Sequence, residues 1–356
     1  MKAAPLPISL CIVNYNGSAY LHATLQAALS EPSGFAEILL IDNASTDDGL
    51  AVVRAHYPSV RILELPRNEG PGAARNAGFT AAACDLILFQ DNDVRLEPHC
   101  ASTLLALLER EALALLVAPR VVYERTPHVI QYDSADCHFL GLMALRNADE
   151  PLARAASASS ITTSLVTACF LMDRRRWTGG LLFDDEFVFN YEDHDFGVRA
   201  NLQGLQTWVE PAAVVRHGDG TAGLSYRPGN RVASRRVYYL MRNRWLVLGK
   251  SFALRTLLLL APLLVLYELF QLAGAIRKGW MRQWWQALRY VLRNRAAICR
   301  KRAIVQRSRR QSDRLLLRGG PLPFTIALRS GRPERFAVAV LQWIADVYWV
   351  IVRGFI

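Results

Sequence analysis

The stretch LILFQDND, residues 86–93, decides how the first half of this chain is expected to fold. A short apolar run that ends in polar residues is typical of a strand buried on both faces. Similar runs end at Asn14 and at Asp42, and segments with helical spacing of apolar residues separate them. Strands that alternate with helices predict a mostly parallel central sheet with flanking helices, which is an α/β fold.

The elements predicted around this stretch place polar residues at the strand ends. We expect strands at 8–14, 37–42, 60–65 and 86–90 and helices at 20–29, 49–56 and 71–83. Ligands of such sheets bind beyond the carboxyl ends of the strands, so Asn14, Asp42 and Asp91 are expected at one binding edge. The pattern weakens over 118–160, where we expect a partly loop-like region that shapes an acceptor site. A strand over 164–172 then returns to the core.

Two polar segments near this edge have the chemistry to hold a nucleotide. Asp42 can accept a hydrogen bond from a base N–H or a ribose hydroxyl, although Asp and Asn also favour helix N-caps and turns. The glycines of 68–78 would let the backbone approach a phosphate at a helix start, and Arg75 can pair with a base or a phosphate. A Gly-Pro turn that caps an Ala-rich helix explains the same glycines without a ligand.

Asp91 and Asp93 place two carboxylates one residue apart at the end of a strand. Mg²⁺ and Mn²⁺ take oxygen ligands and commonly bind one or two carboxylates together with substrate phosphates. The diphosphate of an NDP leaving group needs that neutralisation. His217 offers a neutral imidazole as a further ligand. The alternatives are a solvated acidic turn and a structural histidine.

A second acidic cluster, Glu192-Asp193-His194-Asp195, precedes a segment predicted to be helical through Asn201. Repulsion between like charges raises the pKa of a carboxylate in such a cluster, which suits a general base. We assign this role to Asp193, which would take the proton from an attacking sugar hydroxyl. The alternative is an acidic helix N-terminus that the helix dipole stabilises.

The C-terminal part of the chain has a different composition. The formal net charge is +11, and Arg and Lys are concentrated between residues 277 and 318. Two apolar stretches, 256–276 and 336–352, approach the length of a membrane-spanning helix, and Trp and Arg residues flank them. We therefore predict a membrane-associating region, with a buried helical hairpin as the alternative. Basic residues interleaved with Trp beside an apolar stretch favour a membrane surface, and we expect no nucleic acid as a partner.

In their order along the chain, these motifs resemble those of the family 2 glycosyltransferases, and more narrowly of their rhamnosyltransferase-like bacterial members. The matching segments are 13–17, 41–47, 68–78, 91–93, 191–195 with Arg199, and His217-Gly218. The resemblance implies a GT-A fold, an NDP-sugar donor, Mg²⁺ or Mn²⁺ as cofactor, and inversion at the anomeric carbon.

The resemblance also implies roles for single residues. Asp42 and Arg75 would contact the donor base, and Asp91 would lie near the ribose. Asp93 would bind the metal, His217 would help to hold the metal or the diphosphate, and Asp193 would be the catalytic base. Many relatives have Asn-Pro-Asp in place of Asp91-Asn92-Asp93, so Asp93 is the stronger ligand candidate of the two. We add Asn14 to the donor-binding set because of its place at the strand edge.

We expect a GT-A nucleotide-sugar glycosyltransferase domain over residues 1–245 and a helical, basic, membrane-associating region over residues 246–356. The expected reaction transfers a sugar, with rhamnose as a candidate, to a saccharide or lipid-linked saccharide acceptor in cell-envelope polysaccharide synthesis. Two alternatives stay open: a polyprenyl-phosphate sugar transferase, and a non-catalytic, membrane-bound sugar-nucleotide-binding partner. The six cysteines form no CxxC pair, so we expect them to be reduced core residues. The expected location is the cytoplasmic face of the inner (plasma) membrane.

Overall fold

A computed structural model describes residues 4–218, 234–323 and 332–356. The chain forms two compact units. The first consists of Met1–Ala135, Leu145–Ala200 and Leu205–Ser225, and the second of Asp136–Ala144, Asn201–Gly204 and Tyr226–Ile356. The domain boundary after residue 245 stays a prediction.

Strands and helices alternate through the first half of the chain, as expected. Within the described ranges the strands are β1 Leu6–Asn14, β2 Phe35–Asp42, β3 Arg61–Glu64, β4 Leu86–Asp91, β5 Val94–Leu96, β6 Ala114–Tyr123, β7 Ile130–Tyr132, β8 Ala135–His138, β9 Met143–Leu145, β10 Ser160–Thr162, β11 Cys169–Asp173, β12 Gln206–His217 and β13 Leu317–Arg318. The α-helices are α1 Ser18–Leu29, α2 Gly49–His56, α3 Pro71–Ala81, α4 Cys100–Arg110, α5 Glu192–Leu202, α6 Ser234–Ser251, α7 Leu254–Lys278, α8 Met281–Arg293, α9 Arg295–Ser308, α10 Asp313–Leu316 and α11 Arg332–Val352.

The central sheet of the first unit is mixed, with a parallel N-terminal part. Its strand order is β10-β12-β6-β11-β4-β1-β2-β3, and β5 and β7 pair with β12 and β6 respectively. Strand pairs β1–β2, β1–β4, β2–β3 and β6–β12 are parallel, and β11 runs antiparallel between β4 and β6. The predicted α/β sheet is confirmed.

The inner strands are buried on both faces, which explains their continuous apolar runs. In β1, Ile8, Leu10 and Ile12 belong to one core cluster, whereas Cys11 and Val13 belong to the other. Successive side chains of a strand point to opposite faces, so each cluster takes every second residue. The sheet is thereby packed on both of its faces, and this packing fixes the positions of the strand ends.

Two local features differ in detail from the expectation. Residues 118–160 are partly loop-like, as expected, but β6 continues to Tyr123 and three further short strands follow before residue 146. Pro119 and Arg120 break the apolar pattern inside β6, yet the buried Arg120 is satisfied by Asp133, with 2.8 Å between Nε and Oδ1. The strand expected over 164–172 begins only at Cys169.

The second unit is largely helical and exposes much apolar surface. Leu254–Lys278 and Glu334–Phe355 are long and apolar enough to cross a membrane, judged by length and composition. The acid within α7, Glu268, forms an ion pair with Arg244 and accepts a 2.9 Å hydrogen bond from Trp245 Nε1. This pairing neutralises the charge in an otherwise apolar helix. Strands β13, β8 and β9 form a separate three-stranded sheet.

The cysteines are free in the structure. Four of them are buried, in agreement with the sequence-based expectation: Cys11, Cys100, Cys137 and Cys169. Cys299 is exposed and is therefore not a core residue.

Candidate active site

The ends of three parallel strands are tied together by the side chain of Asn14. Its Nδ2 donates to Asp42 Oδ1 at 2.8 Å, and its Oδ1 accepts from Asn92 Nδ2 at 2.8 Å. Gly17 follows, and a Cβ there would collide with the side chains of both Asn14 and Asn92. Because residue 17 is a glycine, the loop after β1 can pack directly against Asn92, between Asp91 and Asp93.

Asp42 is buried and shapes the loop that follows β2. Its Oδ2 accepts from the Ser45 backbone N–H at 2.9 Å, and its Oδ1 accepts from Ser45 Oγ at 2.6 Å. The turn-forming alternative from the sequence is therefore what the structure displays. The predicted contacts of Asn14 and Asp42 with the donor stay predictions.

Arg75 projects from α3 into the centre of the site and is only 1% exposed. Its Nη2 donates to the Asp91 carboxylate and, at 2.9 Å, to the carbonyl oxygen of Thr167. Nε and Nη1 have no hydrogen-bond partner among the residues that the structure describes. Buried guanidinium donors without partners are costly, so Arg75 offers two unused donors to a polar ligand.

The glycine-rich turn holds α3 in place by a close backbone approach. Gly70 has φ +97°, and a Cβ on it would collide with the carbonyl oxygen of Val188. Pro71 then begins the helix. The Gly-Pro turn that the sequence suggested is present, and its direct effect is to position Arg75.

Asp91, Asp93 and His217 bring one ligand atom each to within 4.8 Å of one another. His217 ends β12, which pairs with β5 opposite Val94, and this register sets its Nε2 3.4 Å from Asp93 Oδ1. Burial and the charge of Asp93 raise the pKa of Asp91, although Arg75 opposes the shift. Two carboxylate oxygens and an imidazole nitrogen form a donor set that fits Mn²⁺ or Mg²⁺.

The imidazole of His217 is held from both sides. Its Nδ1 lies 2.7 Å from Gln131 Oε1, and its Nε2 faces Asp93. Burial lowers the pKa of His217, but the hydrogen bond and the charge of Asp93 outweigh burial and raise it overall. The ring orientation is thus set by protein groups alone.

Glu192 and Asp193 lie in the first turn of α5 and are both buried. Burial raises the pKa of both carboxyls, and the charge of Asp193 raises that of Glu192 further. At Asp193 the His194 backbone N–H, which donates to Oδ1 at 2.8 Å, and the charge of Arg75 oppose this shift. Burial thus favours a protonated carboxyl at this position, whereas these two groups favour the ionised form.

Two residues of this site carry no local signal in the sequence. The phenol of Tyr132 is buried, and its pKa is raised by burial and by the charges of Asp91, Asp93 and Asp193. Gln131 is the hydrogen-bond partner of His217. Both lie on β7, inside the region expected to be loop-like, and only the pairing of β7 with β6 brings them here.

All the site residues predicted from the sequence lie in the first unit, where they form two groups. Asp91, Asp93 and His217 converge, and Arg75 and Asp91 act electrostatically on Asp193. Asn14 and Asp42 lie in the supporting network beneath them. Their individual roles stay predictions.

Part of this chain is similar to proteins of a known family. Residues 9–175 match Glycosyl transferase family 2. The chain is 34% identical over 92 residues to the succinoglycan biosynthesis protein ExoO of Rhizobium meliloti (strain 1021), which is 26% of this chain and 26% of that protein. It is 38% identical over 88 residues to the dodecaprenyl-phosphate galacturonate synthase of Rhizobium johnstonii (strain DSM 114642 / LMG 32736 / 3841), which is 24% of this chain and 26% of that protein.

The matched segments cover only part of these relatives. The chain spans 30%, 26% and 36% of the length of three curated proteins that it matches. Among solved structures, GalNAc-T7 with UDP, GalNAc and Mn²⁺ superimposes with a TM-score of 0.53 and 16% identity. That match covers 68% of this chain and 47% of the other. The likeness shows the fold, and the expected GT-A fold is confirmed.

Proposed function

We propose that the protein is an inverting, metal-dependent glycosyltransferase whose catalytic domain includes residues 9–175, the part that matches Glycosyl transferase family 2. It transfers a sugar from an NDP-sugar to a hydroxyl of a saccharide acceptor. One observation carries the proposal: ligand atoms of Asp91, Asp93 and His217 lie within 4.8 Å of one another, and the charge of Asp91 raises the pKa of the buried carboxyls of Glu192 and Asp193 nearby.

The two acidic clusters have separate tasks in this proposal. Asp93 and His217, with Asp91 as a third candidate, would hold Mg²⁺ or Mn²⁺, which neutralises the diphosphate of the donor. Arg75 would direct its unused Nε and Nη1 donors toward the base or a phosphate of the donor. Asn14 and Asp42 complete the donor-binding set by fixing the loops at the strand ends.

Asp193 is the proposed general base. It takes the proton from the acceptor hydroxyl, the oxygen forms a bond to the anomeric carbon, and the bond from that carbon to the diphosphate oxygen breaks on the opposite face. The NDP leaves with the electron pair of that bond. Displacement from the opposite face inverts the anomeric configuration. A raised pKa matches this carboxyl to proton transfer closer to neutral pH than an exposed Asp allows.

We assign the acceptor to the class of lipid-linked saccharides of the cell envelope. The exposed apolar helices α7 and α11 support this assignment, since each is long enough to enter a bilayer. We also propose a location at the cytoplasmic face of the inner membrane, which membrane-associating helices would support. One relative is a succinoglycan biosynthesis protein by name, which agrees with polysaccharide synthesis. Rhamnose remains the candidate sugar.

A second candidate is favoured by another relative, the dodecaprenyl-phosphate galacturonate synthase. A polyprenyl-phosphate acceptor is already ionised at neutral pH, because the second pKa of a phosphate monoester is about 6. That reaction needs no strong general base. The two candidates therefore differ in their dependence on Asp193.

Radiolabelled NDP-sugars incubated with the purified protein and Mn²⁺ separate the two candidates. One reaction receives lipid-linked saccharides and the other receives polyprenyl phosphate. We expect label only on the saccharide lipid, and loss of this product in Asp193→Asn. Label on polyprenyl phosphate that survives Asp193→Asn would establish the second candidate instead.

A further inference from the structure

Gln131 occupies an irregular position in the sheet. Strand β6 pairs along one edge with β12, where Tyr123 is opposite His217. Along its other edge it pairs with β7, where Val121 is opposite Tyr132 but Val122 is opposite Ile130. Val121 and Val122 are adjacent in β6, but their partners in β7 are two residues apart. Gln131 is therefore the extra residue of a β-bulge. Bulges re-aim a side chain and are common beside active sites.

The bulge directs Gln131 across β6 toward His217. Gln131 Oε1 lies 2.7 Å from His217 Nδ1. A carbonyl oxygen only accepts, so Nδ1 must carry the hydrogen of this bond. In the neutral imidazole the other nitrogen then carries the lone pair. That nitrogen, Nε2, is the atom that faces Asp93.

We propose that Gln131 is a positioning residue that selects the metal-binding tautomer of His217. The inference rests on the proposed metal-dependent function and deepens it, because it names the residue that prepares the imidazole ligand. Metal-bound histidines generally donate their other N–H to an acceptor, which fixes the ring and raises the basicity of the ligand atom. Gln131 supplies that acceptor from β7.

The geometry around Nε2 agrees with this role. Nε2 lies 3.4 Å from the Asp93 carboxylate oxygen. With the hydrogen of the Gln131 bond on Nδ1, the Nε2 position and Asp93 can share one positive charge, which is a proton in the free protein and a divalent cation when the metal binds. Because Gln131 keeps Nδ1 protonated, it is Nε2 that loses its proton when the metal binds.

The test measures Mn²⁺ affinity directly, from the EPR signal of free Mn²⁺ at one fixed pH, with no sugar present. Gln131→Leu keeps the approximate size of the side chain and removes the acceptor. We expect its Kd for Mn²⁺ to rise about 10–100-fold, the usual cost of losing such a partner. Gln131→Glu can only accept, so it should bind Mn²⁺ at least as tightly as the original protein.

A double-mutant cycle with His217→Ala shows whether the effect passes through the imidazole. Gln131→Leu should weaken Mn²⁺ binding in the original protein and have no further effect in His217→Ala. The melting temperature of every variant in EDTA reports its folding separately. Equal Kd values for Gln131→Leu and the original protein, weak binding by Gln131→Glu, or an undiminished effect in His217→Ala would each overturn the inference. No Mn²⁺ binding by the original protein would instead overturn the metal-dependent function on which it rests.

Discussion

The two acidic clusters differ in the groups that contact their carboxylates. Arg75 contacts Asp91, and the imidazole of His217 faces Asp93. Glu192 and Asp193 instead lie in the first turn of a helix, where Asp193 accepts from the His194 backbone N–H. Burial is the largest influence on the pKa values of Glu192 and Asp193, as it is on that of Asp91. The same residue types are therefore prepared for different chemistry, because one cluster is arranged to share a cation and the other to hold and release a proton.

The largest expected effect concerns Glu192 and Asp193, which we call the proton-transfer cluster. Asp193→Asn removes the base and should lower the transfer rate by about 10²–10⁴-fold, the usual contribution of general base catalysis. Its affinity for Mn²⁺ should be unchanged. Single-turnover transfer and an Mn²⁺ titration on the same preparation measure both quantities. Asp85→Asn is the matched control, since that carboxyl is 50% exposed and pairs with Arg174 on the surface. A near-normal transfer rate in Asp193→Asn would show that Asp193 is not the base and that the two clusters do not differ in this way.

A substitution in the other cluster, Asp91 and Asp93, tests whether it shares a cation. Asp93→Asn should raise the Kd for Mn²⁺ by about 100-fold, at the upper end of the losses seen for groups that only support a ligand. Transfer should fall with it and recover in part at high Mn²⁺ concentration. Asp193→Asn should show no such recovery. If added Mn²⁺ restored both variants alike, the two clusters would not have separate tasks.

The pH dependence of kcat gives a smaller effect that sharpens the comparison. A general base acts in its ionised form, so kcat rises with pH through the pKa of Asp193 and then levels off. Burial raises this pKa, so the midpoint of the rise should lie well above about 3.9, the value for an exposed Asp. The profile should be recorded at saturating Mn²⁺. A rate that stays constant down to about pH 4 would show that this carboxyl is not the base.

The smallest expected effect concerns Glu192. Its pKa is raised in the folded protein, so its stabilising contribution is complete below the unfolded pKa of about 4.3 and is lost as the pH rises through the folded pKa. Gln cannot ionise, so Glu192→Gln should gain melting temperature relative to the original protein as the pH rises. Transfer should change little, because Gln resembles the protonated carboxyl. Thermal melts across this pH range test the prediction, and a difference that shrinks with rising pH would contradict it.

The sequence was sufficient where the relevant information is local. An acid that follows an apolar strand identified Asp91 and Asp93, and acids before a helical segment identified Asp193. The parallel order of the first strands followed from the alternation of elements. In each of these cases a few neighbouring residues carry the signal.

The remaining features depend on pairing between distant segments. No residue near Gln131 indicates a bulge, which exists only relative to the register of β6. The burial of Asn14 and Asp42 beneath the site depends on Asn92 and Ser45, which approach only when the strand ends align. Pro119 and Arg120 interrupt the apolar pattern of β6, so this strand was not predicted to its full length. The burial of Arg120 depends on Asp133, which lies further along the chain.

The central claim, a donor site that depends on a divalent cation, is tested most directly by melting the protein with a panel of NDP-sugars, each with Mn²⁺ and with EDTA. We predict that at least one nucleotide-sugar raises the melting temperature with Mn²⁺ and that Asp93→Asn loses this rise, because a ligand that binds only the folded state stabilises it. No rise with any NDP-sugar, or a rise that persists unchanged in EDTA, would contradict the claim.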